Sequence, residues 1–486
     1  DAIIYALSDN AIFTYNTDSG EINKISSIQG LSGETTSAIY YDTTFKRLVI
    51  GYENGLLEVV DEDGTITISS DIVNFNQSGE KSINHISKLD NKLYLSTPFA
   101  IVVYDIDKLE FGDTFFIGNG SSAVKINKTT IFNGNIAAAT ADGIFTADAT
   151  SNSLIDFNNW KQDFVGQNFT EITAFNSELF AVEAAKLFRV NGQTMVEVRN
   201  FSQNIKGIKS SSSHLSIALN DSAIIVDASL NEVIQFSTTT DFNFTLNNVF
   251  FENNSVYLAT KEFGVLYAKE NLPNKYLEIH PEGALTNDIF SIAARNNNLW
   301  IVYGGYSGTY TPSNNKQGFS HFNGENWINT KYNPAFPVTD LNYITIDPNE
   351  DNKVYISSFG DTNDVNSVST GGLLVVENDE ITNFYNHLNS PLQDIVVLDP
   401  NRVTIRISGT AIDSQGNLWI TNIGVPNELK KLSPSGQWSS FDMSSVKTNP
   451  SFGLSQMIID KSNSIWYGSR NNGAFIFNEN GCKRRF

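Results

Sequence analysis

One short phrase recurs along this chain and limits what it can fold into. It runs apolar, aromatic or small, apolar, small, then a Gly-centred turn and a second apolar stretch. The clearest copies are Asn417-Leu-Trp-Ile-Thr421, Asn298-Leu-Trp-Ile-Val302, Ser464-Ile-Trp-Tyr-Gly468, Ser255-Val-Tyr-Leu-Ala259, Lys92-Leu-Tyr-Leu-Ser96 and Lys353-Val-Tyr-Ile-Ser357. Weaker copies start at Ile3, Arg47, Asn135, Glu178 and His214. The third residues of all copies, Tyr5, Val49, Tyr94, Ala137, Phe180, Ser216, Tyr257, Trp300, Tyr355, Trp419 and Trp466, are separated by 44, 45, 43, 43, 36, 41, 43, 55, 64 and 47 residues. A period of about 40 to 45 with four short strands per unit is the spacing of propeller blades. The spacing therefore predicts an all-β chain of eleven such modules, a β-propeller architecture.

Within a module the strands are punctuated locally. The second module runs Ser37-Ala-Ile-Tyr-Tyr41, Lys46-Arg-Leu-Val-Ile50, the turn Glu53-Asn-Gly55, Leu56-Leu-Glu-Val-Val60 and the turn Asp61-Glu-Asp-Gly64. Asn, Asp and Gly tolerate the positive φ of tight antiparallel hairpins. Continuous apolar runs such as Ile101-Val102-Val103 suit strands covered on both faces. Seven evenly spaced anchors predict a first, seven-bladed propeller over residues 1–280. Longer gaps and Trp anchors predict a second, partial propeller of four modules over 281–486. Asp1 lies so close to its anchor that the first module lacks an inner strand. Gly481-Cys-Lys-Arg-Arg-Phe486 differs in composition from the rest, and the expectation is a chain cut at both ends. No long amphipathic helix is expected, only helical turns within Asn383–Leu388 and Met443–Val446.

Charge excludes one class of partner. The chain of 486 residues carries 32 Lys and Arg against 53 Asp and Glu, a net charge of −21, and its only basic run longer than two is Lys483-Arg484-Arg485. Nucleic acid binding needs the opposite balance. The longest apolar runs, Ala2–Leu7 and Phe99–Tyr104, are six residues, far short of the roughly 20 of a spanning helix. No positively charged leader with a long apolar stretch opens the chain. The single Cys482 forms no intrachain disulfide, so stability must come from burial.

No standard catalytic constellation is present in the sequence: no Gly-Lys of a phosphate loop, no His-Glu-x-x-His, no Cys pair and no Gly-x-Ser-x-Gly elbow. His85, His214, His280, His321 and His387 fall in five different modules, away from metal-ligand spacing, and are expected to be satisfied structural residues. Carboxylate pairs at a channel mouth could do glycosidase-type acid and base work, but their placement in Gly-containing turns makes them solvated turn residues. Asp361-Thr-Asn-Asp-Val-Asn366 is oxygen-rich but lacks the Gly and Glu of a calcium loop. Trp300, Trp419 and Trp466 hold one repeat position and are expected to pack between blades. Trp327 and Trp438, just past turns, are expected to be partly exposed. No catalytic, cofactor-binding or metal residue is assigned, no cofactor is expected, and ligand-binding residues are left unassigned.

Two sets of residues carry a family resemblance. Ala411-Ile-Asp413 before Gly416-Asn-Leu-Trp-Ile-Thr421, and Met457-Ile-Ile-Asp460 before Ser464-Ile-Trp-Tyr-Gly468, resemble two-component-regulator propeller repeats. Ser8-Asp-Asn-Ala-Ile-Phe-Thr-Tyr-Asn16, Gly30-Leu-Ser32, Leu48-Val-Ile-Gly-Tyr-Glu-Asn-Gly55, Lys81-Ser-Ile-Asn84 and Ile101-Val-Val-Tyr-Asp-Ile-Asp-Lys-Leu-Glu110 resemble the first propeller of PorZ-type proteins. That resemblance implies two seven-bladed propellers and a C-terminal sorting domain absent from this chain. It implies a non-enzymatic scaffold or binding subunit at the bacterial cell surface, associated with the outer membrane, in the attachment complex of type IX secretion. PorU, PorV and PorQ would be its partners, and anionic lipopolysaccharide would bind through the C-terminal domain. The alternatives are the periplasmic ligand-sensing propeller of a hybrid two-component regulator, which a downstream membrane helix and kinase would mark, and an envelope glycan hydrolase or lyase.

One open and one closed set of modules should unfold separately. Circular dichroism during heating or denaturant titration is expected to show a β-type spectrum lost in more than one step; a single sharp transition would contradict the interrupted second ring.

Overall fold

The computed structural model describes residues 3–360, 371–395, 403–446, 453–470 and 472–486. Asp361–Asn366 lies outside the described residues. The described strands form eleven antiparallel sheets, ten with four strands and the first with three. Every sheet is a meander in which strands pair in chain order, so each hairpin closes locally. The all-β propeller architecture expected from the repeat is what the chain adopts. It divides into two compact units, Asp1–Pro281 and Glu282–Phe486.

Alternation along the second strand of each sheet explains how sheets stack. Successive side chains of a strand point to opposite faces. In Arg47–Tyr52, Leu48 and Ile50 pack with Tyr5, Leu7 and Ile12 of the first sheet, whereas Val49 packs with Ile86, Leu93 and Leu95 of the third. In Asn135–Thr140, Ile136 and Ala138 join Tyr94 and Ile101 of the third sheet, whereas Ala137 and Ala139 join Ile172 and Leu179 of the fifth. A strand buried on both faces has no polar face to alternate with, hence its continuous apolar sequence. The fifth and sixth sheets, and the sixth and seventh, share cores in the same way. Ala6 and Phe13 of the first sheet then pack with Val265 and Ile279 of the seventh, so the first unit closes on itself.

Backbone hydrogen bonds tie each inner strand to the sheet before it. Thr36 N–H donates to Asp9 O (2.7 Å), Ile83 to Tyr52 (3.2 Å), Ile126 to Thr97 (3.0 Å), Phe169 to Thr140 (3.0 Å), Ile205 to Ala184 (2.9 Å) and Leu246 to Asn220 (2.8 Å). Each joint satisfies a backbone donor where the chain crosses between sheets. The first sheet, Ile3–Ser8, Ala11–Asn16 and Ile22–Ile25, places Ile3–Ser8 where other sheets have their second strand.

In the second unit three cores join its four sheets in series. The wide gap after Trp300 is an insertion between Asn298–Val302 and Phe319–Phe322. Its Tyr306 stacks on Tyr310 (5.1 Å) and packs on Phe359 (4.2 Å). Arg470 of the last sheet donates to Gly308 O (3.4 Å), so this loop reaches across the unit.

Three expectations are corrected. Asn383–Leu388 begins as strand, not as a helical turn: Glu380–Tyr385 is an outer strand, because Ile381 and Phe384 find an apolar surface in the core of the eighth and ninth sheets, and a turn follows only at His387–Asn389. Met443–Val446 is a turn closed by Val446 N–H to Met443 O (3.1 Å). Trp466 is only half-buried, while Trp300 and Trp419 are 0% and 2% exposed. Each anchor faces the sheet that follows it; Trp466 has none after it among the described residues and stacks on Phe486 (5.7 Å). Cys482–Arg485, set apart by composition, pairs with Gly473–Asn478 as the outer strand of the last sheet.

Two hairpin glycines test the joints. Gly143 (φ 91°) sits in a turn where an added Cβ would lie 2.4 Å from Asp163 O, whereas Gly64 (φ 86°) faces open space. Gly64→Ala should cost about 1 kcal/mol, the backbone penalty alone. Gly143→Ala should cost about 3 kcal/mol because the neighbouring strand must also shift. Equal losses in urea unfolding would contradict this packing.

Candidate functional site

The carboxylates that could do acid and base chemistry are first turn residues. Asp413, after Ile407–Ile412, accepts N–H groups from Gln415 and Asn417 at one oxygen (2.9 Å each). At the other it accepts the Trp419 indole N–H (2.8 Å) and the Asn417 amide (2.9 Å). Burial raises the Asp413 carboxyl, but Asn417, Trp419 and the backbone donors outweigh burial and hold it below the ordinary carboxylate range. Asp460 repeats the clasp with Ser462, Ser464 and Trp466 Nε1 (2.9 Å), and these donors hold its carboxyl down as well. Asp42, Asp105, Asp148 and Asp227 cap turns through the N–H two residues on. Such carboxylates are acceptors with their lone pairs engaged, which suits them to fixing hairpins rather than to moving protons.

A polar recess of about 490 Å³ lies between the eighth and ninth sheets and is lined by amide and carboxylate side chains around His321, among them Asn298, Asn323, Glu325, Asn352 and Asp379. Strand register sets His321 directly opposite Trp300, and their rings stack at 3.9 Å with planes 8° apart. Nδ1 of His321 lies 2.6 Å from Asp379 Oδ1 and Nε2 2.9 Å from Asn298 Oδ1. With both ring nitrogens engaged and the ring buried, His321 is a structural tie between two sheets. What the recess offers a ligand is hydrogen bonding from its amides, the chemistry of binding a hydroxyl-rich or peptide group.

The other histidines divide. His214 packs edge-on to Phe251 (4.9 Å) and its Nδ1 meets Ser213 Oγ (2.8 Å); His280 Nδ1 lies 2.9 Å from Pro281 O. His85 and His387 depart from the expectation, each burying an Nδ1 with no hydrogen-bond partner among the described residues. Trp327 and Trp438 are half-buried in outer strands and pack on Phe322 (5.2 Å) and Tyr385 (5.2 Å). Among the described residues no group of three or more His, Cys, Asp or Glu is placed to hold a metal ion.

Two buried polar groups escape sequence patterning. Lys430, in Leu429–Leu432, is 1% exposed, and its Nζ donates to Gln393 Oε1 (2.9 Å). Burial lowers its pKa from 10.5 to about 8. Tyr467 donates to the buried Glu428 (2.6 Å), and burial with that carboxylate beside it pushes the phenol up. No local pattern marks Lys430, which stands beside Lys431 in Leu429-Lys-Lys-Leu432 with Glu428 two residues before it.

Stacked four-stranded meanders, closed on themselves in the first unit, define a β-propeller protein. Residues 4–161 match the family described as the N-terminal β-propeller domain of PorZ, of the type IX secretion system. The resemblance to PorZ-type propellers carried by the first modules is thereby borne out. Among solved structures, the fold matches PorZ, described as an essential bacterial surface component of the type IX secretion system of Porphyromonas gingivalis, at 18% identity and a TM-score of 0.71. That match covers 99% of this chain and 63% of the PorZ chain. The extracellular domain of a putative hybrid two-component system from B. thetaiotaomicron aligns at 15% identity and a TM-score of 0.44, covering 99% of this chain and 68% of that one. No curated protein matches the sequence. No helix among the described residues is long and apolar enough to cross a membrane.

Lys430 yields a pH test. Because folding lowers its pKa, the unfolded chain binds the extra proton between about pH 8 and 10.5, so this group's contribution to stability rises with pH through that window and its full penalty applies below it. A shift of that size is on the order of 3 kcal/mol, offset by the Gln393 hydrogen bond. Lys430→Met is expected to stabilise the chain by about 1 to 2 kcal/mol at pH 7, with the gain shrinking towards pH 10.5 in denaturant titrations. A pH-independent loss of stability would show that Lys430 is not held against its charge.

Proposed function

We propose that this chain is a non-enzymatic scaffold and binding subunit of a type IX secretion and attachment complex at the cell surface, on the extracellular side of the outer membrane. Residues 1–280 would be a seven-bladed propeller whose first blade lacks its inner strand, and residues 281–486 part of a second. The match of residues 4–161 to the PorZ N-terminal propeller family carries this reading. The architecture supports it: blades locked by shared cores give rigid walls, and the hairpins and loops at their ends are free to vary and recognise partners. Asp-capped turns tie up carboxylates that an enzyme would need. The net charge of −21 disfavours an extended anionic polymer as the main ligand and favours protein partners. PorU-, PorV- and PorQ-like subunits are those partners, and anionic lipopolysaccharide would be held by a domain outside this chain.

Affinity purification of the tagged protein from the envelope of its source bacterium tests this. Secretion subunits of those three types are expected to co-purify, and deletion of the gene should leave secreted proteins unattached at the surface. Failure to co-purify any of them, together with normal surface attachment in the deletion strain, would overturn it.

A further inference from the structure

The acidity of the chain does not extend to the inner edge of the first unit. Strand register places His85 opposite Ser96, Lys128 opposite Ala139 and Glu171 opposite Val182, at the same level on the inner strands of the third, fourth and fifth sheets. Lys209, opposite Ser216, lies two residues further along the inner strand of the sixth sheet. Lys128 Nζ donates to Glu171 Oε2 (2.7 Å) and to Ile208 O (3.0 Å), and Ile208 N–H donates to the same Glu171 oxygen (3.3 Å). This tie spans three sheets and leaves Lys128 neutralised by Glu171. Lys209, the residue after Ile208, has no such counterpart. Its side chain is exposed and its Nζ lies 5.1 Å from the Phe250 ring centroid, with no carboxylate partner among the described residues.

Two further observations bear on this edge. His85 buries an Nδ1 that has no hydrogen-bond partner among the described residues. Burial, then the charges of Lys128 and Lys209, hold the His85 ring well below the ordinary histidine range. Lys128 stands level with His85 on the next inner strand and reaches Ile208, the residue before Lys209, so register and hydrogen bonding gather three basic side chains against a single carboxylate, an arrangement that an anion among them relieves. Of the other charged side chains on the inner strands, Asp42 and Lys88 satisfy each other, and Glu252 ends the seventh sheet's inner strand. Exposed Lys125 and Lys206 directly precede the two strands that carry Lys128 and Lys209, which adds positive potential at the approach.

We propose that the inner edge of residues 1–281 binds a compact oxyanion, a phosphate or carboxylate group, held by Lys209 and the Nδ1 side of His85 beside the Lys128–Glu171 tie. The site accepts one small anionic group, because Glu171 leaves one uncompensated positive charge there.

Isothermal titration of the whole chain with inorganic phosphate, and separately with acetate, tests the proposal. Saturable binding of at least one of them at one site per chain is expected. Phosphate alone would mark a phosphorylated natural ligand and acetate alone a carboxylate. Lys209→Met should weaken binding at least tenfold. Lys46→Met, which removes an exposed lysine paired with Glu62 at 2.9 Å on the second sheet, should leave it unchanged. Lys209 is exposed, so its replacement should not disturb folding, and the melting curve of the variant checks this. No saturable binding of either anion, or binding by a folded Lys209→Met within twofold of the parent, would overturn the site.

Discussion

A strand that is apolar on both faces must be covered from both sides, and the rest of this structure follows from that. A single four-stranded meander leaves two apolar faces open to water, at roughly 25 cal/mol for each Å² left uncovered. Stacking removes the cost, and alternation divides the work: Leu48 and Ile50 serve the sheet behind, Val49 the sheet ahead. The same split at Leu93, Leu95 and Tyr94, and again at Ile136, Ala138 and Ala137, makes every sheet both cover and covered. In the first unit the series ends where it began, at Ala6 and Phe13 against Val265 and Ile279. Trp466, anchor of the last described sheet, has Phe486 stacked on it where the other anchors meet a following sheet.

Polar groups are distributed by what this stacking leaves over. Turns at sheet ends take the Asp residues, whose oxygens satisfy backbone N–H groups that hairpins expose. Where the anchor is Trp and an Asp stands six residues earlier, the second carboxylate oxygen also takes the indole N–H, so turn and core are fixed together. Trp300 lacks that Asp, with Ala294 at the corresponding place, and its indole nitrogen is buried with no partner among the described residues while the ring stacks on His321. Binding capacity is left to the amide-lined recess, the loops, and the inner edge.

Strand identity, module period and the packing of anchors between blades are legible in the sequence because each depends on residues a few positions apart; the direction in which the anchors face is not. Burial of Trp300 and Trp419 followed from the repeat alone, and exposure of Trp466 did not, since it depends on what comes after the repeat. Asn383–Leu388 mimics a helical turn locally, but the apolar surface offered by the ninth sheet draws its start into a strand. His321 and Asp379, 58 residues apart, meet only because two sheets stack, and no local pattern marks them. The Lys128–Glu171 tie, and Lys209 with no carboxylate partner among the described residues, are equally hidden: three inner strands bring together charges that look solvated one at a time.

Stacking as the source of stability is tested most directly by native-state hydrogen exchange at the amides that join the sheets of the first unit, those of Thr36, Ile83, Ile126, Phe169, Ile205 and Leu246. If the sheets stand only by covering one another, these six should be among the slowest amides of residues 1–281 and should exchange together, with the free energy of unfolding the unit as a whole. Six different opening energies, each matching the exchange of its own sheet, would contradict it, because each blade would then be holding itself together.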